Sequence, residues 1–311
     1  MSTVATPAPA PRRRRRRRTK LQRRQTRIGW LLLVPALAAV GFVAIYPLGK
    51  TVYESFTNQE FLAGLEPTRW VGLENYRTLW HDQIFRDAVW VTIKFTLITV
   101  SFEFVLGLII ALVVNSSFKG RGVMRAVMLV PWAIPTVVAA KMWQWMLDDV
   151  FGVVNDLGMK LHLISRPHAW ISDPSTALAA VSAVDIWKTT PFVALLLLAG
   201  LQVIPRDLYE AASVDGANAV QQFWRITLPL LRPAILVTLI FRTLDALRVF
   251  DVFNVFFGNR QDTQTMAIYA QSTIVGDGHV GYGAAISVGI FLIISLFVVI
   301  YVTFMRVSEE E

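Results

Sequence analysis

Six stretches of the chain stay apolar for about the 20 residues a helix needs to cross a hydrocarbon layer. Two of them, 28–49 and 280–305, contain no Asp, Glu, Lys or Arg. The other four, 88–114, 126–147, 177–201 and 234–257, are as long but carry charges within them. The pattern predicts an all-α polytopic membrane protein with six transmembrane helices. Ala36, Leu37 and Ala38 in the first stretch form a triplet like a leader cleavage site, but the apolar run continues past it for a full crossing, so the stretch reads as an anchor.

Composition agrees: 54% of the 311 residues are hydrophobic, 17% are charged and the mean hydropathy is +0.49, which excludes a charge-covered soluble globule. The net charge of +8 would suit a nucleic-acid binder, but 11 of the 30 basic residues fall between Arg12 and Arg27, and no acid precedes Glu54. Without that run the chain is slightly acidic, so no nucleic-acid partner is expected. Residues 1–27 read as a disordered, basic cytoplasmic tail resting on anionic membrane lipid, and 28–311 as the six-helix domain. With the tail inside, Lys119, Arg121, Arg125, Arg206, Arg225, Arg232 and Arg306 also become cytoplasmic, which predicts that both termini are cytoplasmic. The absence of cysteine excludes disulfide, thiolate-metal and thiol chemistry. No P-loop or metal-ligand spacing is present, and His81, His162, His168 and His279 all fall in external connections. The chain does not read as an enzyme.

The connection between the fourth and fifth stretches, 200–233, has its own grammar. Pro205, Arg206 and Asp207 suit a first helical turn, and a short helix follows through Val214. Gly216 permits a reversal, 217–226 suits a second short helix, and Pro229 with Pro233 are expected to stop it before the next span. Leu208, Tyr209, Ala211, Ala212 and Val214 make this knob too apolar for water alone. It fits either a groove on a partner or the lipid interface.

Glu210-Ala211-Ala212, then Gly216, then Ile226 after nine intervening residues, then Leu228-Pro229, resembles the EAA loop of binding-protein-dependent ABC importer permeases. The surrounding 186–217 is similar to carbohydrate permeases of the maltose, trehalose and glycerol-phosphate type, and a looser likeness covers 28–305. The resemblance implies a type I ABC importer permease fold in a bacterial or archaeal cytoplasmic membrane. It also implies a second permease subunit, expected to be a different chain, two ATP-hydrolysing subunits, and an extracytoplasmic solute-binding protein. ATP and Mg would be bound by the ATPase, with no cofactor in this chain. The family's coupling helix corresponds to 207–217, which assigns ATPase coupling to Asp207, Glu210, Ala211, Ala212, Asp215 and Gly216.

Charges inside a membrane cost about 2.5–3.5 kcal/mol each on insertion scales, so Lys94, Glu103, Lys141, Asp185, Lys188, Arg242, Asp245, Arg248 and Asp251 require compensation. A polar cavity near the midplane would supply it, as would a role confined to gluing the bundle. Arg242, Asp245, Arg248 and Asp251 alternate in sign at helical i, i+3 spacing, so neighbours are expected to neutralise one another. That near balance favours a neutral, hydroxyl-rich solute. Maltose-type permeases hold solute on the spans flanking the EAA loop, which implies Asp185, Lys188, Thr189, Phe192, Arg242, Asp245, Arg248 and Asp251 here. Trp143, Trp145 and Trp187 could stack on sugar faces or form an interfacial belt. The segment 257–261 departs from the Gly-Gly-Pro turn of many relatives. The expected function is therefore half of the pathway for a di- or oligosaccharide such as trehalose or maltose. The alternative is a secondary transporter in which Asp185, Asp245 and Asp251 couple protons or sodium.

Overall fold

A computed structural model describes residues 20–61, 67–116 and 118–309, so most of the arginine-rich tail, and with it the expectation of disorder there, lies outside the described residues. The described chain is almost wholly helical, with two isolated antiparallel bridges. Five helices are long and apolar enough to cross a membrane, and a sixth crossing is made if one bent pair counts as a single span.

The first span is α1, which runs from Lys20–Val40 through a π turn at Gly41–Ile45 into Tyr46–Glu54. The remaining helices form a separate compact unit that begins at Thr51. They are α2 (Glu74–His81), α3 (Gln83–Asn115), α4 (Arg121–Ala133), α5 (Thr136–Met146), α6 (Val153–Lys160), α7 (Pro174–Val203) and α8 (Arg206–Val214). Then come α9 (Ala219–Gln222, a π turn at Phe223–Thr227, and Leu228–Ala246), α10 (Asp251–Phe257), α11 (Met266–Gln271) and α12 (Val280–Glu309).

Helices α3, α7 and α9 form the centre. Toward one end, Ala111 and Val114 of α3, Val193, Leu197 and Leu201 of α7, and Leu231 of α9 are buried together. Toward the other, Phe95 of α3 meets Phe253 of α10 edge-on at 4.9 Å, surrounded by Val181, Val184 and Ile268. The apolar faces that the hydropathy pattern demands thus close on one another and leave the charged residues between them.

Three expectations are corrected. The third span, 126–147, is not one helix: α4 and α5 meet at 88°. Pro135 disfavours helical geometry at Ile134, whose ψ is 131°, and its ring nitrogen offers no donor to the preceding turn. The fifth span stands as one crossing, 219–257, but its helix is interrupted at 247–250. Helix α9 ends at Ala246 in i+3 turns, with Arg248 N–H bonding Asp245 O and Val249 N–H bonding Ala246 O, while the Thr265 hydroxyl takes the Val249 carbonyl. The sign-alternating ladder therefore does not lie on one helical face.

The third correction concerns Pro229 and Pro233, which do not stop the second helix of the connection. It runs on from Ala219 to Ala246. A proline ring collides with the carbonyl four residues back, which for Pro229 is that of Arg225, and Arg225 lies in the wider π turn where Leu228 N–H reaches Phe223 O. The same device recurs in α1, where the π turn Gly41–Ile45 ends two residues before Pro47.

At the start of α3, Asp82 caps the helix, accepting from the N–H groups of Ile84 at 2.8 Å and Phe85 at 3.3 Å. It also accepts from the hydroxyls of Tyr269 and Tyr282, each at 2.5 Å, which ties the regions of α11 and α12 to the start of α3. Burial works to raise the Asp82 carboxyl, but the bonds from Tyr269, Tyr282, Phe85 and Ile84 outweigh it and hold the group below the ordinary carboxylate range. Burial and the bond to Asp82 push Tyr269 up to about 12. Nearby, Gly281 N–H bonds Gln59 O at 2.9 Å, and a Cβ at Gly281 would lie 2.0 Å from the Thr57 carbonyl oxygen.

Gly281→Ala is expected to lower the stability of the assembled protein by about 1–3 kcal/mol, because the obstacle is backbone rather than a side chain that can turn away. Thermal unfolding checks this. A carboxyl held below its ordinary value stabilises the fold above that range and loses the contribution as pH falls through its folded value. Asp82→Asn should therefore lower the melting temperature at neutral pH and flatten its decline in acid, measured by thermal scans at pH 7 and about pH 4.

Candidate functional site

The charged residues of the central helices converge on Arg242, which α9 carries into the bundle at the level where α3 and α7 face it. Its side chain is only 3% exposed. Nε donates to Glu103 Oε2 at 2.5 Å and Nη2 to Glu103 Oε1 at 2.8 Å, a two-pronged bond that suits a planar guanidinium. Nη2 also donates to Asp185 Oδ2 at 3.0 Å, and Nη1 to Asp245 Oδ2 at 2.8 Å. The Thr189 hydroxyl bonds Glu103 Oε1 and also lies 2.6 Å from the Asp185 carbonyl oxygen. One cation is thus enclosed by three carboxyl groups from three helices. Glu103, fully buried, is the residue that the family-derived set of solute contacts lacked. Its charge in the second span marked it as needing a partner, but the pairing spans 139 positions and no local spacing encodes it.

Beside this cluster lies a cavity of about 300 Å³ whose wall includes Asp185, Lys188, Thr189, Arg242, Asp245, Arg248 and Asp251. Seven of the eight candidate solute residues are therefore gathered in one place. The eighth, Phe192, is outside the lining and stacks at 5.8 Å on Trp132, which does line the cavity. Trp132 and Thr136 reach the wall from the two sides of the bend between α4 and α5, so the broken span contributes to the site because it is broken.

The cavity charges differ in what occupies them. Arg242 is saturated by carboxylates, whereas Lys188 makes no hydrogen bond or ion pair among the described residues, and Arg248 has only the Leu244 carbonyl, at 3.1 Å. Asp245 keeps 70% of its side chain exposed although it bonds Arg242. Neutralisation of neighbours along the ladder holds for Arg242 and Asp245, and stops at the helix break. Lys94, over the Trp90 ring, and Lys141, bonded to Gln144 at 3.0 Å, are outside the cavity, as are Trp143 and Trp187, which meet edge-on at 5.4 Å.

At the other end of α9 stands the knob. Helix α8 spans Arg206–Val214 after Pro205, and Gly216 has φ +81°, a left-handed conformation that suits glycine. Gly216 N–H bonds Ser213 O and Ala217 N–H bonds Ala212 O, which closes the helix end. Asn218 and Gln221 then form a reciprocal capping box at the start of α9. Asp207, Glu210, Ala211 and Asp215 are exposed, Ala212 is half-buried and Val214 is 88% exposed. Tyr209 faces inward, against the buried cluster of α3, α7 and α9, with its hydroxyl 3.0 Å from Thr227 Oγ1. It fastens the knob to α9 and leaves Asp207, Glu210, Ala211 and Asp215 on the exposed side.

Residues 103–309 match the family described as binding-protein-dependent transport system inner membrane component. The chain is 40% identical over 293 residues to a trehalose/maltose transport system permease protein of Thermococcus litoralis, covering 94% of this chain and 98% of that one. It is 40% identical over 281 residues to a sulfoquinovosyl glycerol transport system permease protein of Agrobacterium fabrum, with 90% of each covered. With a trehalose transport system permease protein of Mycobacterium tuberculosis it shares 36% identity over 278 residues, covering 89% and 88%. Among solved structures, a bacterial ABC transporter importing the acidic polysaccharide alginate superposes with a TM-score of 0.79 at 22% identity, over 93% of this chain and 99% of that one. That likeness concerns the fold.

Arg242→Met would leave buried Glu103 and Asp185 without their counter-charge, and is expected to cost about 3–5 kcal/mol. Asp245→Asn, at an exposed carboxylate, should shift stability far less. Thermal unfolding of the two variants side by side checks the ranking.

Proposed function

The chain belongs to the binding-protein-dependent transport system inner membrane component family, and from that premise we propose that it forms half of the membrane pathway of an ATP-driven importer for a di- or oligosaccharide. The observation that carries the reading is the continuity of α9, which begins at the knob and ends at the cavity. A displacement imposed on Glu210 and its neighbours would pass along a single helix to Arg242. There it would act on α3 through Glu103 and on α7 through Asp185. No flexible joint intervenes, because the π turn keeps the helix unbroken past Pro229.

The solute would enter against Trp132 and exchange hydrogen bonds with Lys188, Arg248, Asp251 and the free edge of Asp245. Such a wall offers donors and acceptors together, which is what a hydroxyl-rich molecule needs, since each hydroxyl both donates and accepts. Relatives named for trehalose and maltose transport support a sugar of that class.

The assembly we propose contains a second, different permease chain, two ATP-hydrolysing subunits that carry the ATP and Mg, and an extracytoplasmic solute-binding protein. The chain itself carries no cofactor. Both termini would lie in the cytoplasm, with the basic tail against lipid. Asp207, Glu210, Ala211, Ala212, Asp215 and Gly216 would seat in the ATPase, Glu210 against a basic side chain. Ion-coupled secondary transport through Asp185, Asp245 and Asp251 is not favoured by the relatives.

Reconstituted with its partners, Glu210→Lys or Gly216→Val should assemble normally and lose ATP-dependent uptake of labelled trehalose or maltose by more than about tenfold, the scale of a lost coupling free energy. Unimpaired uptake in both variants would overturn the proposal.

A further inference from the structure

The bonds at Arg242 leave the middle of the bundle with an unbalanced charge. Glu103, Asp185 and Asp245 all bond the one guanidinium, and Lys188 is the other basic side chain of that part of the wall. Three acids against two bases leave one negative charge in excess. Arg248 and Asp251, farther along the cavity, offset each other in this count. From the remaining neighbours, Trp132 and Thr136 at the α4/α5 bend and Tyr301 of α12, bonded to Thr243, bring no further charge.

The three acids are not equivalent. Asp245 is largely exposed and can keep its charge in contact with water in the cavity, but Glu103 is fully buried and the Asp185 side chain is 12% exposed. A buried, uncompensated carboxylate is unfavourable enough that the group takes up a proton instead. The donor supply points to the same pair. Glu103 receives three donors, two from Arg242 and one from Thr189, whereas Asp185 receives a single side-chain donor, Arg242 Nη2. That nitrogen is also bonded to Glu103 Oε1, so the two carboxyl groups meet at one atom. The single proton of the Thr189 hydroxyl cannot serve Glu103 and the Asp185 carbonyl at full strength together.

We propose that Glu103 and Asp185 share one bound proton, so that the junction of α3, α7 and α9 is a proton-binding site. The proton comes from bulk water when the bundle forms, adds to one carboxylate oxygen and is donated in a hydrogen bond to the other. It is a resident and is not carried across the membrane. With it in place the cluster is electrically neutral, and α3 and α7 can shift against each other without separating a net charge in the membrane interior. The inference does not depend on which solute is carried.

The test is infrared spectroscopy of the complete transporter in lipid nanodiscs at neutral pH. A protonated carboxylic acid has a carbonyl stretching band distinct from that of a carboxylate, and the band shifts in heavy water. The band is expected in the wild type, lost in Glu103→Gln and equally lost in Asp185→Asn, because either substitution removes the need for the shared proton, and retained in Asp251→Asn. A wild type whose spectrum does not change on Glu103→Gln, or a band that survives Asp185→Asn, would overturn the proposal. An amide at position 103 is close in shape to a protonated acid, so the Glu103→Gln complex should also assemble and unfold near the wild-type temperature. Failure of that variant to assemble would count against a protonated pair. Neither the band nor assembly involves a solute, so a wrong solute assignment and a missing proton remain distinguishable.

Discussion

Arg242 is the constraint around which the bundle is arranged. A guanidinium in the middle of a membrane helix is tolerated only where other groups complete its hydrogen bonds, and here α3 and α7 each present an acid while α9 supplies a third three residues along. Apolar clusters lie on either side of this junction, and the close approach of Glu103 and Asp185 is set by their shared bonds to that one cation. Such pairs add little to stability against an apolar alternative; their best-attested use is to fix register, and here three carboxyl groups are brought to one guanidinium.

The cavity is a by-product of that enclosure. Two helices that would have filled the space are interrupted, α4/α5 at Pro135 and α9/α10 after Ala246, and the irregular backbone lines the cavity on both sides. In a membrane such breaks are stable only where freed backbone groups meet protein or water, as the Val249 carbonyl does at Thr265. Saturation of Arg242 leaves Lys188 and Arg248 as the cations with capacity to spare, so the wall's bonding capacity differs from its formal charge. An inventory of residue types is a poor guide to what such a site will hold.

Knob and cavity are joined by a helix that runs past two prolines. The π turn ahead of Pro229 moves the obstructing carbonyl aside, so the helix runs on where the prolines were expected to stop it. Tyr209 adds a second fastening through Thr227. The reversal between knob and helix is made at Gly216, where the motif glycine takes up its left-handed turn. A transporter driven from one end benefits from this arrangement, since strain imposed at the knob is not lost along the way.

The apolar runs settled the membrane-spanning, all-helical character of the chain, because hydrocarbon solvent demands about 20 apolar residues per crossing wherever they fall. The Glu210 to Pro229 spacing made the knob legible, since its helix, glycine reversal and second helix are each encoded by residues within a few positions of one another. The same local reading failed at the breaks in the third and fifth spans and at Pro229, where remote partners or neighbouring backbone geometry decide whether a helix ends. The pairing of Arg242 with Glu103 and Asp185 lay beyond it altogether. Those residues are 139 and 57 positions from Arg242, and only the folding of three helices against one another determines which buried acid meets which buried base.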